Sequence, residues 1–369
     1  MASNGYDAVV VGAGPNGLAA AVELARNGKS VVVLEACDTI GGGTRSAELT
    51  LPGFTHDICS AIHPMGLASP YFRKLPLADF GLEWIHPTIP LAHPLDDGTA
   101  ALLHRSIDAT AATLGVDGES YRNTLEPLVR NADALLSGFL SPLLRVPRHP
   151  VVMARLGRHA IKPATKLADS LFKGEQARAL FGGNAVHAIL PLDKLPTGAF
   201  GLVYSFLGHA YGWPLAKGGS KAITDALGRY LWTLGGRIET GHRVATFNEL
   251  PPARAYLFDL TPRQIVEIAG DQLSSGYRRR LRKFRYGPGL FKIDWSLDAP
   301  IPWKAPGCAE GASSLLRAWR VENSFERLRP SGPGRSCTRR ISEAEHTPQH
   351  AVCATPRFGR KRRQTWGSP

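Results

Sequence analysis

"DAVVVGAGPNGLAAAVELARNGKSVVVLEACDTIGGGTR" runs from Asp7 to Arg45, and its reading decides the fold. Ala8 to Val11 is an unbroken apolar run dominated by β-branched residues, the pattern of a strand buried on both faces. Gly12-Ala13-Gly14-Pro15-Asn16-Gly17 follows, and then Leu18, Ala21, Val22 and Ala25 recur at helical spacing. Gly28 stops that helix, and Ser30 to Leu34 reads as a second buried strand. The order strand, glycine turn, helix, strand is what makes a GxGxxG spacing informative. Gly12 permits the tight turn, Gly14 lets backbone N–H groups approach a pyrophosphate, and Gly17 lets the helix pack close to the strand. The helix N-terminus then faces the phosphates with its partial positive charge.

Glu35 ends the second strand, 18 residues beyond Gly17, where a carboxylate can accept hydrogen bonds from a ribose diol. An acid here repels a 2′-phosphate, which predicts an unphosphorylated adenosine. This first unit does not choose between NAD and FAD. The second cluster, Gly41-Gly42-Gly43-Thr44-Arg45, favours FAD, because a longer dinucleotide needs a further stretch of bare backbone beside it. Arg45 can add a charge-assisted contact on the pyrophosphate side. The alternative is an ordinary glycine loop with a solvated arginine.

With these residues in hand, the stretch from Gly12 to Pro64 resembles the N-terminus of the phytoene desaturase-like FAD-dependent oxidoreductases. That family includes carotenoid desaturases and retinol saturase-type enzymes, and its broader relatives are the flavin amine oxidases. The resemblance resumes in "WPLAKGGSKAITDALGRYLWTLGGRIETGHRV" (213–244) and "FKIDWSLDAPIPW" (291–303). It implies an α/β fold in which a discontinuous Rossmann-like FAD-binding domain carries an inserted α+β substrate domain. It also implies that Gly12, Gly14, Pro15, Asn16, Gly17, Glu35, Gly42, Gly43, Thr44 and Arg45 bind FAD, with Val244 touching the adenine through its backbone. "FTHDICSAIHP" (54–64) would approach the flavin side, making Ser60 and His63 candidates for lining it. The implied chemistry is hydride transfer from a C–H bond of an apolar, isoprenoid- or lipid-like substrate, with a separate electron acceptor. An amine oxidase fits the same architecture.

The expected organisation is a first FAD-domain part over 1–85, a substrate cap over 86–208, a second FAD-domain part over 209–283, a substrate-domain strand region over 284–306 and a tail over 307–369. In the second FAD-domain part, Ser220 is placed to cap a helix with the apolar stripe Ile223, Leu227, Leu231 and Leu234. "RIETGHRVATF" (237–247) alternates around Gly241 and reads as a hairpin. Ala255 to Leu260 reads as a buried strand, and Thr261-Pro262 as a helix start. The proline-punctuated cap contains an apolar segment near Leu135 to Leu144, read as a buried helix pair.

Composition fixes the remaining expectations. Hydrophobic residues at 43% and charged residues at 20% describe a globular chain rather than a disordered one. From Gly307 onward, 12 basic residues face 5 acidic ones, leaving 32 against 26 upstream, so more than half of the net +13 sits in the last sixth. That tail, rich in Arg, Ser and Pro, has no sustained period and is expected to be a solvated, disordered end rather than a nucleic-acid-binding surface. The family resemblance fades near Trp303 to Pro306, which predicts a truncated chain with an aberrant C-terminus. Five cysteines without CxxC spacing suggest neither a disulfide framework nor a metal site, and Cys59 reads as a small buried residue. Met1 to Tyr6 carries no signal-peptide pattern, and no apolar run is long enough to span a bilayer. A cytoplasmic location with peripheral membrane contact is the expectation. No Ser-His-Asp order or HExxH motif names a catalytic residue.

Overall fold

The computed structural model describes residues 5–140, 149–287 and 292–311. The chain opens with β1 (Tyr6–Val11), α1 (Pro15–Arg26) and β2 (Val31–Leu34), then a small ribbon of β3 (Ser46–Glu48) and β4 (Thr55–Asp57). A short helix α2 (Pro64–Ala68) and strand β5 (Trp84–Ile85) lead to the hairpin β6 (Leu91–Pro94) and β7 (Ala100–Leu103). A helical stretch follows, comprising α3 (Ile107–Thr113), α4 (Gly118–Arg130), α5 (Ala132–Phe139), α6 (Pro150–Ala160), α7 (Ala164–Leu171), α8 (Glu175–Ala185) and α9 (Thr197–Ala210). The chain returns through β8 (Leu215–Ala216), α10 (Lys221–Thr233), β9 (Arg237–Glu239), β10 (Ala253–Phe258), α11 (Pro262–Ala269) and α12 (Ser275–Arg282).

The central sheet has the order β10-β1-β2-β9, and every pairing is parallel. Its two inner strands are buried at every position from Ala8 to Val11 and from Val31 to Leu34. Side-chain alternation sends these residues to two different cores. Val10, Val31 and Val33 pack with Leu18 and Val22 of α1 and Leu227 of α10, whereas Val9, Val11, Val32 and Leu34 pack with Val244 and Leu250. Leu18 and Val22 are fully buried, and each contributes roughly 1.5–3 kcal/mol. Gly28 follows the helix in the left-handed conformation, as its terminator role requires.

Between β2 and β9 lies the helix-rich cap, which has its own core. Tyr121, Leu125, Leu135, Leu136, Phe172, Phe181 and Phe206 are buried together there. Leu135 and Leu136 therefore serve packing inside α5, while Ser141 to Leu144 lie outside the described residues. His209 sits at the centre: its Nδ1–H donates to Arg105 O at 3.3 Å, so its Nε2 accepts from Tyr121 Oη at 2.8 Å. Burial lowers the His209 pKa to about 4, leaving the ring neutral.

Several local expectations change. The stretch over 237–247 is not a hairpin. Arg237–Glu239 joins the parallel sheet beside β2, and Gly241 then turns the chain so that the Gly241 and His242 amides donate to Cys37 O and Glu35 O. The strand near 255–260 is only half-buried, because β10 is an edge of the sheet. Ser220 occupies the start of α10, but its hydroxyl makes no cap; the adjacent amides are held instead by Asp57 and Ser46. Thr261 does open α11, in a reciprocal capping box with Gln264. No named strand lies in 284–306 among the described residues, and the tail from 312 onward, with its "GRKRRQ" tract, lies outside them. No helix among the described residues is long and apolar enough to cross a membrane.

Candidate functional site

The carboxyl ends of β1, β2 and β10 converge on the first glycine turn, the position where open parallel sheets of this kind hold ligands. Gly12 leaves β1 at φ +105° while its amide donates to Leu34 O at 2.8 Å. A Cβ on Gly17 would fall on Gly12 O, well inside the 3.0 Å that real Cβ atoms respect. Gly17 is therefore the point where α1 touches the strand turn.

Glu35 lies at this turn and grips it. Its Oε2 accepts from the Ala13 amide at 2.8 Å, and its Oε1 accepts from the Cys37 amide at 2.9 Å. Each oxygen keeps a further lone-pair direction for an outside donor. The second glycine loop docks onto the first: the Gly41 amide donates to Ala13 O at 2.9 Å, and a Cβ on Gly42 would lie 3.1 Å from Gly14 Cα. Gly41 and Gly42 both have positive φ. Nothing lies within 4 Å of a Cβ on Gly43, so the loop is bare on that side. Among the described residues, no hydrogen bond reaches the amides of Gly14, Asn16, Gly42 or Gly43. Pro15 has no amide proton to add.

The other predicted positions divide. Thr44 is buried, its hydroxyl donating to Gly41 O at 2.8 Å, so it locks the loop from behind. Arg45 folds back, with Nε donating to Gly42 O at 3.1 Å and Nη1 lying 3.4 Å from Cys37 Sγ. Val244 is buried against the far face of the sheet with Val9, Val32 and Leu34. Cys59 is exposed, not buried: β4 has ended and the chain there runs along the surface, tied through the neighbouring Ile58 and Ser60 backbone groups.

Ser60 and His63 belong to one buried network behind the second glycine loop. The Ser60 amide donates to Gly43 O at 3.0 Å, and Ser60 O accepts from Ser220 Oγ at 2.6 Å. Since the single Ser220 proton is used there, the 2.7 Å contact between His63 Nε2 and Ser220 Oγ is a donation from His63. Asp57 closes the network, accepting from the Ser220 amide and from Ser46 Oγ at 2.6 Å each. Burial lowers the His63 pKa to about 4, although the Asp57 charge pulls the other way. His63 is thus neutral at neutral pH and positions two loops. The His63 amide donates to Pro214 O, next to an aromatic cluster in which His187 stacks on Tyr204 at 4.5 Å and Trp213 meets both rings edge-on.

Sequence reasoning missed Asp259. Directly after β10, its amide donates to Val11 O, and its Oδ2 accepts from the Gly17 amide at 2.9 Å. A Cβ on Gly12, Gly14 or Gly17 would run into this residue. The three glycines therefore make room for a carboxylate of the same chain at the helix N-terminus, where negative charge is stabilised. The only local signal is an acid closing an apolar run; its significance depends on the pairing of β10 with β1. Among the described residues no group of three His, Cys, Asp or Glu side chains is placed to hold a metal.

Comparison with known proteins places this geometry. Residues 10–75 match the model of an NAD(P)-binding Rossmann-like domain. The chain is 28% identical to the mouse pyridine nucleotide-disulfide oxidoreductase domain-containing protein 2 over 65% of its own length and 48% of the mouse protein's. It is 32% identical to a limonene dehydrogenase chain from Castellaniella defragrans over 29% of its own length and 19% of that protein's. Among solved structures it resembles an oxidoreductase from Methanosarcina mazei, with TM-score 0.56 at 17% identity over 79% of this chain and 68% of that one. It also resembles putrescine oxidase, with TM-score 0.52 at 18% identity over 80% and 67%. The fold is thus a Rossmann-like α/β fold shared with oxidoreductases, and the chain spans about half the length of the mouse relative.

Proposed function

We propose that the chain is an FAD-dependent oxidoreductase acting on the C–H bond of an apolar substrate. The carrying observation is the pair of docked glycine loops, with the amides of Gly14, Asn16, Gly42 and Gly43 left unengaged beside the Glu35 carboxylate. These donors fit a pyrophosphate, Glu35 fits the adenosine ribose, and the bare side of Gly43 suits the longer arm that separates FAD from NAD. FAD, when bound, would supply the hydride acceptor. The protein's own share is to hold the dinucleotide at Glu35 and the loop amides, and to keep the Ser60–His63–Ser220 network neutral and rigid behind it.

The aromatic cluster of His187, Tyr204 and Trp213 beside His63 supports an apolar substrate, as does the name of the limonene dehydrogenase relative. Ile189, Leu190 and Leu195, exposed in one cap loop, support collection of that substrate at a bilayer surface. Purified protein should be yellow, release FAD on denaturation and bleach anaerobically with a terpenoid or lipid substrate. Bleaching by primary amines alone would make it an amine oxidase. Protein that stays colourless through FAD titration and instead binds NAD would refute the proposal. A second reading is a non-catalytic dinucleotide-binding protein; FAD binding without turnover of any substrate class identifies it.

A further inference from the structure

β9 is one of the two edges of the central sheet among the described residues, and its three residues carry a pattern that fits itself. Glu239 O accepts from the Glu35 amide at 2.8 Å, so Arg237 and Glu239 turn their backbone groups toward β2. Strand alternation then points both the N–H and the C=O of Ile238 away from the sheet. Among the described residues no backbone hydrogen bond reaches them. Unpaired edges of this kind are usually covered or blunted. Here the edge instead borders an open groove of about 660 Å³ between β9 and α10, floored by Ile40 and Ile238 and walled by Arg229 and Trp232. Trp232 is 79% exposed, an unusual state for so large an apolar surface on a helix that otherwise packs well.

We propose that this edge joins two copies of the chain, β9 pairing antiparallel with β9 of the second copy about a two-fold axis through Ile238. In that register Ile238 exchanges both backbone hydrogen bonds with its symmetry mate. Arg237 falls opposite Glu239 of the second copy, and Glu239 opposite its Arg237. The sequence Arg-Ile-Glu is its own charge complement when reversed, as an isologous contact requires. A slip by two residues would place Arg237 opposite Gly241 or opposite its own symmetry mate and lose both ion pairs. Among the described residues the Glu239 carboxylate pairs only with His242, at 3.2 Å, and Arg237 has no ion-pair partner. The pairing also brings the two Trp232 side chains to the rims of facing grooves, covering apolar surface that is otherwise wet.

The test is sedimentation equilibrium of the full chain with reciprocal charge reversals. The wild type should be a dimer at tens of micromolar. Arg237→Glu and Glu239→Arg should each weaken dimerisation by roughly 30-fold, since every reversal turns two symmetry-related attractions into repulsions. The double variant Arg237→Glu/Glu239→Arg should recover wild-type affinity within about threefold by restoring the same pairs in mirror order. Unchanged melting temperatures show that the variants fold. A monomeric wild type, a dimer indifferent to the single reversals, or a double variant no stronger than the singles would each overturn the proposal.

Discussion

Replacing Gly17 by alanine separates the two jobs assigned to the glycine loops. A Cβ there would meet Gly12 O well inside 3.0 Å, so the N-terminus of α1 must move off the β1 turn. The displacement overpacks a close contact, at about 1–3 kcal/mol, and loosens the hydrogen bond from the Gly17 amide to Asp259, worth roughly 1.5–3 kcal/mol with a charged acceptor. Alanine returns about 1 kcal/mol in helix propensity. The net loss is roughly 2–4 kcal/mol, or a melting temperature lowered by about 3–6 °C for a chain of this size. Gly43→Ala is the companion. Its Cβ meets nothing within 4 Å, so the melting temperature should hold while FAD affinity falls, because the methyl occupies the bare side of the loop. Calorimetry and fluorescence titration with FAD read the two quantities. A Gly17→Ala protein that melts like the wild type would refute the close-packing argument, and a Gly43→Ala protein that binds FAD normally would remove the second loop from the cofactor site.

Other positions give equally direct readings. Glu35→Ala removes the acceptor of the Ala13 and Cys37 amides, so FAD affinity should drop at least about tenfold by titration, with Glu35→Gln intermediate because it keeps a single neutral acceptor. Asp259→Asn keeps an acceptor for the Gly17 amide but removes a negative charge beside the phosphate donors, so FAD should bind roughly 3–10-fold more tightly, most visibly at low salt. His63, with its pKa lowered to about 4 from the ordinary 6.5, stays neutral in the fold while the unfolded chain takes up a proton. Stability is therefore full above pH 6.5 and falls as pH drops toward 4, by on the order of 3 kcal/mol. Urea unfolding across that window should show a shallower pH slope for His63→Gln, the remaining slope coming from His209 and the other histidines that burial holds below their ordinary pKa, His187 among them.

The first 45 residues were legible because their information is local. Three consecutive valines on each inner strand, a glycine spacing and a four-residue apolar stripe fix β1, α1 and β2 without reference to the rest of the chain. The stripe Ile223, Leu227 and Leu231 and the start of α11 at Thr261 are legible for the same reason. Apart from the burial of Cys59, the errors are matters of distant pairing. "RIETGHRV" alternates as either strand of a hairpin would, and only the vacant edge of β2 turns it into a parallel strand. Ser220 has the residue type of a helix cap, yet Ser60 and His63 claim its hydroxyl across some 160 residues. Asp259 sits in no recognisable motif, because its partner Gly17 is 242 residues away.

That last separation has a consequence for biogenesis. During synthesis the glycine turn leaves the ribosome early, but its helix-capping carboxylate emerges only after the whole cap and α10 have followed. The cap has a self-contained core and can consolidate while β1 and β2 wait, each with its outer edge unpaired. Dinucleotide capture is thereby deferred to the end of folding, and a nascent chain stalled before residue 259 should emerge with a compact cap but no competent nucleotide pocket.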